Sequence, residues 1–279
     1  MALARALHRE NDLDPKLPSF SAMARLHSSR MANRTFAVGD IHGDLAALKK
    51  TLAKLPKLDA QDTLILMGDY IDRGPQSAQV IDFVRHELPR QVPGKLVCLR
   101  GNHEDGWLRV ASGGWPEFVI PLANGCLATL RSFENKPVGE HDMPTRDELL
   151  SMQSGEFLPD EIVDWMNELP YFYEDDHAIY VHAGLVEKDG KWQHPSETEN
   201  PTQLLWVRTM RFFQGYRGKR VVCGHTATEN LPPELSSFTP EDPLDMWVGE
   251  NVVVIDTGCG KGGFLTVLEL PAMKVYESR

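Results

Sequence analysis

The sequence predicts an α/β fold, and two observations support this. Short apolar, β-prone segments lead directly into glycine-rich polar turns. These segments are 35–38, 63–67, 96–99, 178–181 and 221–223. The connections between the first three segments carry apolar residues at helical spacing, over 45–55 and 77–88. Because strands that alternate with helices form parallel sheets, the first half is predicted to be a βαβαβ unit.

The second half of the chain is predicted to be rich in strands. Between the two halves, residues 107–169 have a mostly helical pattern, with breaks at 113–114, 121 and 140–144. We expect this helical segment to cap one side of a functional site. Apolar, β-prone runs follow it at 171–173, 179–181, 221–222, 252–255 and 264–270.

Composition and charge exclude several classes of partner. The chain has 279 residues and a formal net charge of -11 at pH 7. Phosphate backbones and anionic membranes repel such a protein, so we expect no nucleic-acid partner and no membrane partner. No stretch approaches the roughly 18 to 20 consecutive apolar residues that span a bilayer. The four cysteines are widely spaced, as is typical of reduced thiols, and we predict a cytoplasmic protein.

The N-terminal 31 residues differ from the rest of the chain. They mix arginines, acidic residues and prolines without a sustained apolar period. This composition predicts a disordered N-terminal extension over 1–31. No internal repeat, low-complexity tract or linker follows it, so residues 32–279 are predicted to form a single domain.

Polar side chains of the types that bind metal ions follow the predicted strands. Six candidate ligands are Asp40, His42, Asp69, Asn102, His182 and His225. Oxygen and imidazole ligands without thiolates suit first-row metals such as manganese, iron or zinc. If Asp69 bridges two ions, Asp40 and His42 complete one site and the other three residues complete the second. Two ions about 3.5 to 4 Å apart can activate water and neutralise a phosphoryl group during in-line displacement.

Five motifs resemble the signature of the PPP family of serine/threonine protein phosphatases, of bacterial or phage type, within the calcineurin-like metallophosphoesterase superfamily. They are GDIHG, GDYIDRG, GNHE, HAG and GHT, in this order between Gly39 and Thr226. The resemblance implies a central β-sandwich of mixed sheets flanked by helices, with 32–279 as a single metallophosphoesterase catalytic domain. It also implies two divalent metal ions, with manganese preferred over iron or zinc, held by the same six residues.

The same resemblance assigns roles to residues outside the ligand set. His103 becomes the general acid, and Asp72 becomes the carboxylate that orients its imidazole. Arg73 is expected to bind the phosphate oxygens, because a guanidinium can grip phosphate through two hydrogen bonds. Arg208 resembles the arginine of a Trp-x-Arg segment in bacterial and phage members, and is assigned as a second phosphate ligand. Arg100 is a third candidate.

The leading functional prediction is hydrolysis of phosphoserine and phosphothreonine monoesters by direct attack of a metal-bound hydroxide. Its partner would be a phosphorylated protein or a small phosphomonoester, and the sequence does not identify a regulatory subunit. One alternative is a symmetrical dinucleoside polyphosphate hydrolase, acting on diadenosine tetraphosphate. That group resembles this chain in most motifs but typically lacks the Asp-Arg-Gly found at 72–74. A second alternative is a non-catalytic module that binds phosphoproteins, against which the complete ligand set argues.

Overall fold

The computed structural model describes residues 33–139, 141–238 and 241–279. The predicted disordered extension, 1–31, lies outside the described residues. The α-helices within the described part are α1 (Leu45–Leu52), α2 (Ser77–Asp82), α3 (Leu88–Gln91), α4 (Asn102–Ala111), α5 (Cys126–Phe133), α6 (Arg146–Ser154), α7 (Asp160–Glu168) and α8 (Met210–Gly215). None of the helices in these ranges combines the length and the apolar character that a membrane crossing requires.

The strands assemble into two five-stranded sheets and one hairpin. They are β1 (Thr35–Val38), β2 (Thr63–Leu66), β3 (Lys95–Cys98), β4 (Phe172–Glu174), β5 (Ile179–Val181), β6 (Glu187–Lys188), β7 (Lys191–Trp192), β8 (Val221–Cys223), β9 (Trp247–Val248), β10 (Val252–Val254), β11 (Thr266–Leu270) and β12 (Lys274–Glu277). The first sheet has the order β12-β11-β1-β2-β3, and the second has the order β4-β5-β8-β10-β9. β6 pairs only with β7 among the described strands.

Both sheets are mixed, with parallel strands at the centre. In the first sheet β1, β2 and β3 are parallel, while β11 and β12 add antiparallel strands at one edge. In the second sheet β5, β8 and β10 are parallel, with antiparallel β4 and β9 at the two edges. The predicted βαβαβ unit, the strand-rich second half and the α/β sandwich of mixed sheets are therefore confirmed.

The two sheets pack face to face through alternate residues of their strands. Ala37 and Ile65 of the first sheet share one buried cluster with Tyr180 and Val222 of the second. Phe36 points the opposite way and belongs to the cluster that packs against the helices. This alternation follows from the two-residue period of a strand. One face of the first sheet therefore packs against helices, and its other face forms an apolar layer shared with the second sheet.

Strand register brings the site-bearing loops together. Val38 of β1 pairs with Leu66 of β2, which pairs with Cys98 of β3. These parallel strands therefore end at the same level, and the loops that follow them meet at one edge of the sheet. In the second sheet Cys223 of β8 pairs with Val254 of β10, so the loops after β8 and β10 also lie side by side.

Some local details differ from the sequence prediction. The helix predicted over 77–88 is divided into α2, a π-helical turn at Phe83–Glu87, and α3. Pro89 lies in the first turn of α3 and has no backbone N–H to donate to the preceding turn. The wider π-helical turn accommodates the missing hydrogen bond. The strand β12 was not predicted, although it pairs with β11 and buries Tyr276.

Candidate active site

The backbone of the candidate site adopts a conformation that side chains rarely allow. Five of the eight described non-glycine residues with positive φ are site residues: His42, Asp69, Asp72, Arg73 and His225. Left-handed φ values cost free energy for residues with a Cβ, and they cluster at functional sites where the surrounding structure imposes them. The loops therefore hold these side chains at orientations that an ordinary turn would not provide.

One cluster of possible ligands lies between the loops after β1 and β2. His42 Nε2 is 3.4 Å from Asp69 Oδ2 and 4.0 Å from Asp40 Oδ2. His42 Nδ1 lies 3.0 Å from the Ile71 carbonyl oxygen, to which it can donate. Such a bond leaves Nε2 with a lone pair directed at the carboxylates, which is the usual arrangement of a metal-binding histidine.

A second cluster shares Asp69 and extends into the second sheet. His182 Nε2 is 3.4 Å from Asp69 Oδ1 and 3.0 Å from Asn102 Oδ1. His225 Nδ1 lies 2.6 Å from the same Asn102 oxygen. His182 Nδ1 is 2.9 Å from the Met67 carbonyl oxygen, so it resembles His42 in its tautomer. The structure thus brings together all six predicted ligands, with Asp69 between the two groups.

The electrostatics of these clusters fit a divalent cation. Burial lowers the pKa of His42, His182 and His225, so the imidazoles are neutral at pH 7 and able to offer a lone pair. Burial, followed by Asp256 and Asp69, raises the pKa of Asp40 well above its usual range. A divalent ion would compensate this crowding of buried carboxylates.

Two buried polar atoms at the site also fit a bound ion. Asp40 Oδ1 and His225 Nε2 have no hydrogen-bond partner among the described residues. Buried polar atoms are nearly always paired, and an ion is one of the recognised reasons for an exception. Asp40 Oδ1 can pack closely against Gly224 because glycine has no Cβ, which at this position would lie 2.0 Å from that oxygen.

His103 and Asp72 form the predicted pair. His103 Nδ1 lies 2.6 Å from Asp72 Oδ2, and His103 Nε2 points towards Asp69 Oδ2 at 3.9 Å. Trp107 Nε1 donates to Asp72 Oδ1 at 2.9 Å, and Thr129 Oγ1 donates to the same oxygen at 2.5 Å. Asp72 is therefore held from three sides, and His103 presents its free nitrogen to the ligand clusters.

The two predicted phosphate-binding arginines lie beside different clusters. Arg73 Nη1 contacts His42 Nε2, and Arg208 Nη1 donates to the His225 carbonyl oxygen at 3.1 Å. Arg100 instead donates to the Tyr171 hydroxyl at 2.9 Å, with its guanidinium carbon 4.7 Å from the centre of that ring. Arg100 thus fastens the loop before β4 to the sheet, and its guanidinium is engaged there.

Glu104 is a site residue whose role the sequence did not reveal. Its Oε2 accepts hydrogen bonds from the backbone N–H groups of Asp69 and Gly101, and its Oε1 accepts one from Tyr70, each at 2.9 Å. Burial, followed by Asp69, raises the pKa of Glu104 to about 8. The sequence signal was its position three residues after the helix cap Gly101, from which a glutamate can accept a hydrogen bond from the cap N–H. Glu104 ties the loop bearing Asp69 to the start of α4.

The two-sheet sandwich and its ring of aspartates and histidines define a metallophosphoesterase. Residues 34–229 match the calcineurin-like phosphoesterases, and the chain belongs to that family, whose members typically bind two divalent metals. The superfamily resemblance is therefore confirmed. His42, Asp69 and His103 form one group that could hold an ion, and Asp69, His182 and His225 form another.

Several relatives carry a more specific name. A symmetrical bis(5'-nucleosyl)-tetraphosphatase from Dechloromonas aromatica is 30% identical, over 87% of this chain and 95% of that protein. One from Nitrosospira multiformis is 23% identical, over 87% of this chain and 94% of that protein. A crystal structure provisionally described as a diadenosine tetraphosphatase superposes with a TM-score of 0.52 at 19% identity, covering 89% of this chain and 94% of the other. This structural similarity concerns the fold alone.

Proposed function

We propose that this chain is a metal-dependent hydrolase that cleaves dinucleoside tetraphosphates symmetrically. The proposal is carried by its similarity to symmetrical bis(5'-nucleosyl)-tetraphosphatases along nearly their whole length, at 30% identity for the Dechloromonas aromatica protein. These names favour the first alternative from the sequence over the leading prediction of a serine/threonine protein phosphatase, which becomes the second candidate.

The space beside the site is large enough for such a substrate. A cavity of about 820 Å³ adjoins Arg73 and is bordered by Gly125, Cys126 and His141. Pockets of about 300 to 1,000 Å³ commonly hold ligands of drug or cofactor size. A substrate phosphate at the clusters and a nucleoside in this cavity would be neighbours, because Arg73 borders both.

The six clustered residues would hold two ions, with Asp69 contributing to both. Ions bound there would supply an activated water and neutralise charge on the phosphoryl group. Manganese remains our preferred metal, with iron and zinc as alternatives. Arg73 and Arg208 would bind the non-bridging oxygens of the attacked phosphate, one beside each cluster. Their charge would orient the phosphate for attack in line with the leaving group.

Hydrolysis of phosphoserine and phosphothreonine monoesters is the second candidate, and the His103–Asp72 pair favours it. A seryl alkoxide leaves poorly without a proton, whereas a nucleoside diphosphate leaves readily as an anion. His103 Nδ1 lies 2.6 Å from Asp72 Oδ2, which would keep His103 Nε2 available to protonate an alkoxide. This pair would contribute little to cleavage of a phosphoanhydride.

A comparison of two substrates tests the proposal. The full chain loaded with manganese would be given diadenosine tetraphosphate and a phosphoserine peptide, with chromatography of the products. We expect a kcat/KM at least about tenfold higher for the dinucleotide, which corresponds to about 1.4 kcal/mol in the barrier, and ADP as the sole nucleotide product. A preference for the phosphopeptide would favour the second candidate, and release of AMP with ATP would contradict symmetrical cleavage.

A control separates catalysis from binding alone. Turnover of para-nitrophenyl phosphate by the parent chain would be compared with that of an Asp69→Asn variant, in which the shared ligand is weakened. If the parent did not exceed the variant, the chain would be the non-catalytic binding module that the sequence left open. Metal analysis of the parent chain as purified, before any manganese is added, would decide between manganese, iron and zinc.

A further inference from the structure

Lys261 borders the same cavity as Arg73 and has no role in the site described above. It lies in the loop between β10 and β11, and its side chain is exposed. Gly260, the preceding residue, packs directly on His42, since a Cβ at this position would lie 2.6 Å from His42 Cβ. The loop that carries Lys261 is therefore in contact with a candidate metal ligand.

The ammonium group of Lys261 is available to a ligand. Among the residues that the structure describes, no carboxylate oxygen lies within 4.0 Å of it. Lys188 pairs with Glu199 at 2.6 Å and Lys219 with Glu174 at 2.9 Å, whereas Lys191, like Lys261, has no carboxylate partner among the described residues. Lys261 differs from Lys191 in its place on the border of the cavity, where a cation is a local exception in a chain of net charge -11.

Arg73 supplies a second cation on the border of this cavity. Its backbone N–H donates to the Gly125 carbonyl oxygen at 3.2 Å, which fixes the residue at the cavity wall, while its guanidinium reaches His42. We propose that Lys261 binds a second phosphate group of the ligand, adjacent in the same chain to the phosphate bound by Arg73. This subsite rests on the proposed function, because a polyphosphate chain has a second phosphate to bind there. A simple phosphomonoester has only one phosphate and would leave the subsite unused.

Inhibition by inorganic anions tests the subsite without requiring a known substrate. Hydrolysis of para-nitrophenyl phosphate by the manganese-loaded full chain would be inhibited with orthophosphate and with tripolyphosphate. The variant is Lys261→Met, and the matched control is Lys191→Met, which removes an exposed lysine outside this cavity. Each assay is run at the same free manganese concentration, so that chelation by tripolyphosphate cancels between variants.

We expect Lys261→Met to raise the inhibition constant of tripolyphosphate about tenfold, the effect of losing one charge-assisted hydrogen bond. The constant for orthophosphate should change by less than about twofold, and Lys191→Met should alter neither. Equal changes for both anions, or no change for tripolyphosphate, would overturn the subsite. If diadenosine tetraphosphate is not hydrolysed but the tripolyphosphate effect is present, the proposed function fails and the subsite stands.

Discussion

His103 Nδ1 lies 2.6 Å from Asp72 Oδ2, although 31 residues separate the two in the chain and both side chains are buried. Thr129 and Trp107 donate to the same carboxylate, so its orientation is fixed independently of His103. A carboxylate placed in this way selects the histidine tautomer that carries its proton on Nδ1. If His103 is the general acid, as the sequence predicts, the importance of this pair should depend on the leaving group.

We predict that His103→Asn affects substrates unequally. For a phosphoserine peptide, loss of the proton donor should reduce kcat by about 10² to 10⁴-fold, the usual contribution of general acid catalysis. For para-nitrophenyl phosphate and diadenosine tetraphosphate the reduction should be much smaller, because their leaving groups need little protonation. Asp72→Asn should reduce kcat most for the phosphoserine peptide and less for the other two substrates, in the same order as His103→Asn. Equal losses on all three would indicate that His103 acts as a metal ligand instead.

Asp69 and Asp40 should differ in their effects on metal content. Asp69 lies close to the imidazoles of both clusters, whereas Asp40 approaches only the imidazole of His42 and contacts His225 through its backbone N–H. We expect elemental analysis to find two equivalents of metal in the parent chain, about one in Asp40→Asn, and less than one in Asp69→Asn. Circular dichroism spectra must match the parent for the comparison to hold. Equal metal content in the two variants would argue against Asp69 as the shared ligand.

Glu104 should influence metal affinity without touching the ion. Its carboxylate accepts three backbone N–H bonds, and Glu104→Gln replaces one accepting oxygen by an NH₂ group that cannot accept them. We expect manganese binding to weaken about 10 to 100-fold, as for other residues that orient metal ligands. Calorimetric titration would measure this, with Glu161→Gln on the exposed surface of α7 as the control. An unchanged affinity would mean that the loops keep their shape without this carboxylate.

The stability of the helical region should depend on Glu148. Hydrogen bonds from Arg131 and from the Thr145 backbone lower the pKa of Glu148 to about 2, whereas an unfolded glutamate has a pKa of about 4.3. A lowered carboxyl pKa stabilises the fold above pH 4.3, and this contribution is lost as the pH falls towards 2. Glu148→Gln should cost about 1 kcal/mol in the free energy of unfolding at pH 7.

Urea denaturation at pH 7 and pH 3 would test this dependence. The difference between the parent and Glu148→Gln should shrink at pH 3, because the parent glutamate is then largely protonated in the unfolded state but still largely ionised in the folded state. Glu168→Gln, at an exposed position on α7, should match the parent at both pH values. A difference that does not change with pH would assign the effect to the capping hydrogen bonds alone.

The sequence predicted those parts of the site that depend on strand ends. Asp40, Asp69 and Asn102 each follow an apolar run, and parallel pairing from Val38 to Cys98 necessarily brings such loops to one edge. Local pattern and topology were therefore sufficient to predict that these candidate ligands lie together. The finer identification as a protein phosphatase relied on motifs that related phosphohydrolases share, and motifs of this kind report the chemistry more closely than the substrate.

What the sequence did not predict depends on contacts between distant segments. The role of Glu104 follows from the approach of the loop at Asp69 to the cap at Gly101, which no local pattern encodes. Arg100 stands beside a metal-binding motif, yet its guanidinium turns to Tyr171, which is 71 residues further along the chain. A pattern gives the type of side chain and its neighbours, and only the packed structure gives the direction in which that side chain points.

The second cluster joins the two halves of the sandwich, because Asp69 and Asn102 follow strands of the first sheet and His182 and His225 follow strands of the second. An ion bound there would act as a cross-link between layers that otherwise meet mainly through apolar packing. Folding and metal binding are then thermodynamically linked. Free metal at 100 times its dissociation constant would add about 2.7 kcal/mol to the free energy of unfolding. The melting temperature of this protein would consequently rise with the concentration of free metal.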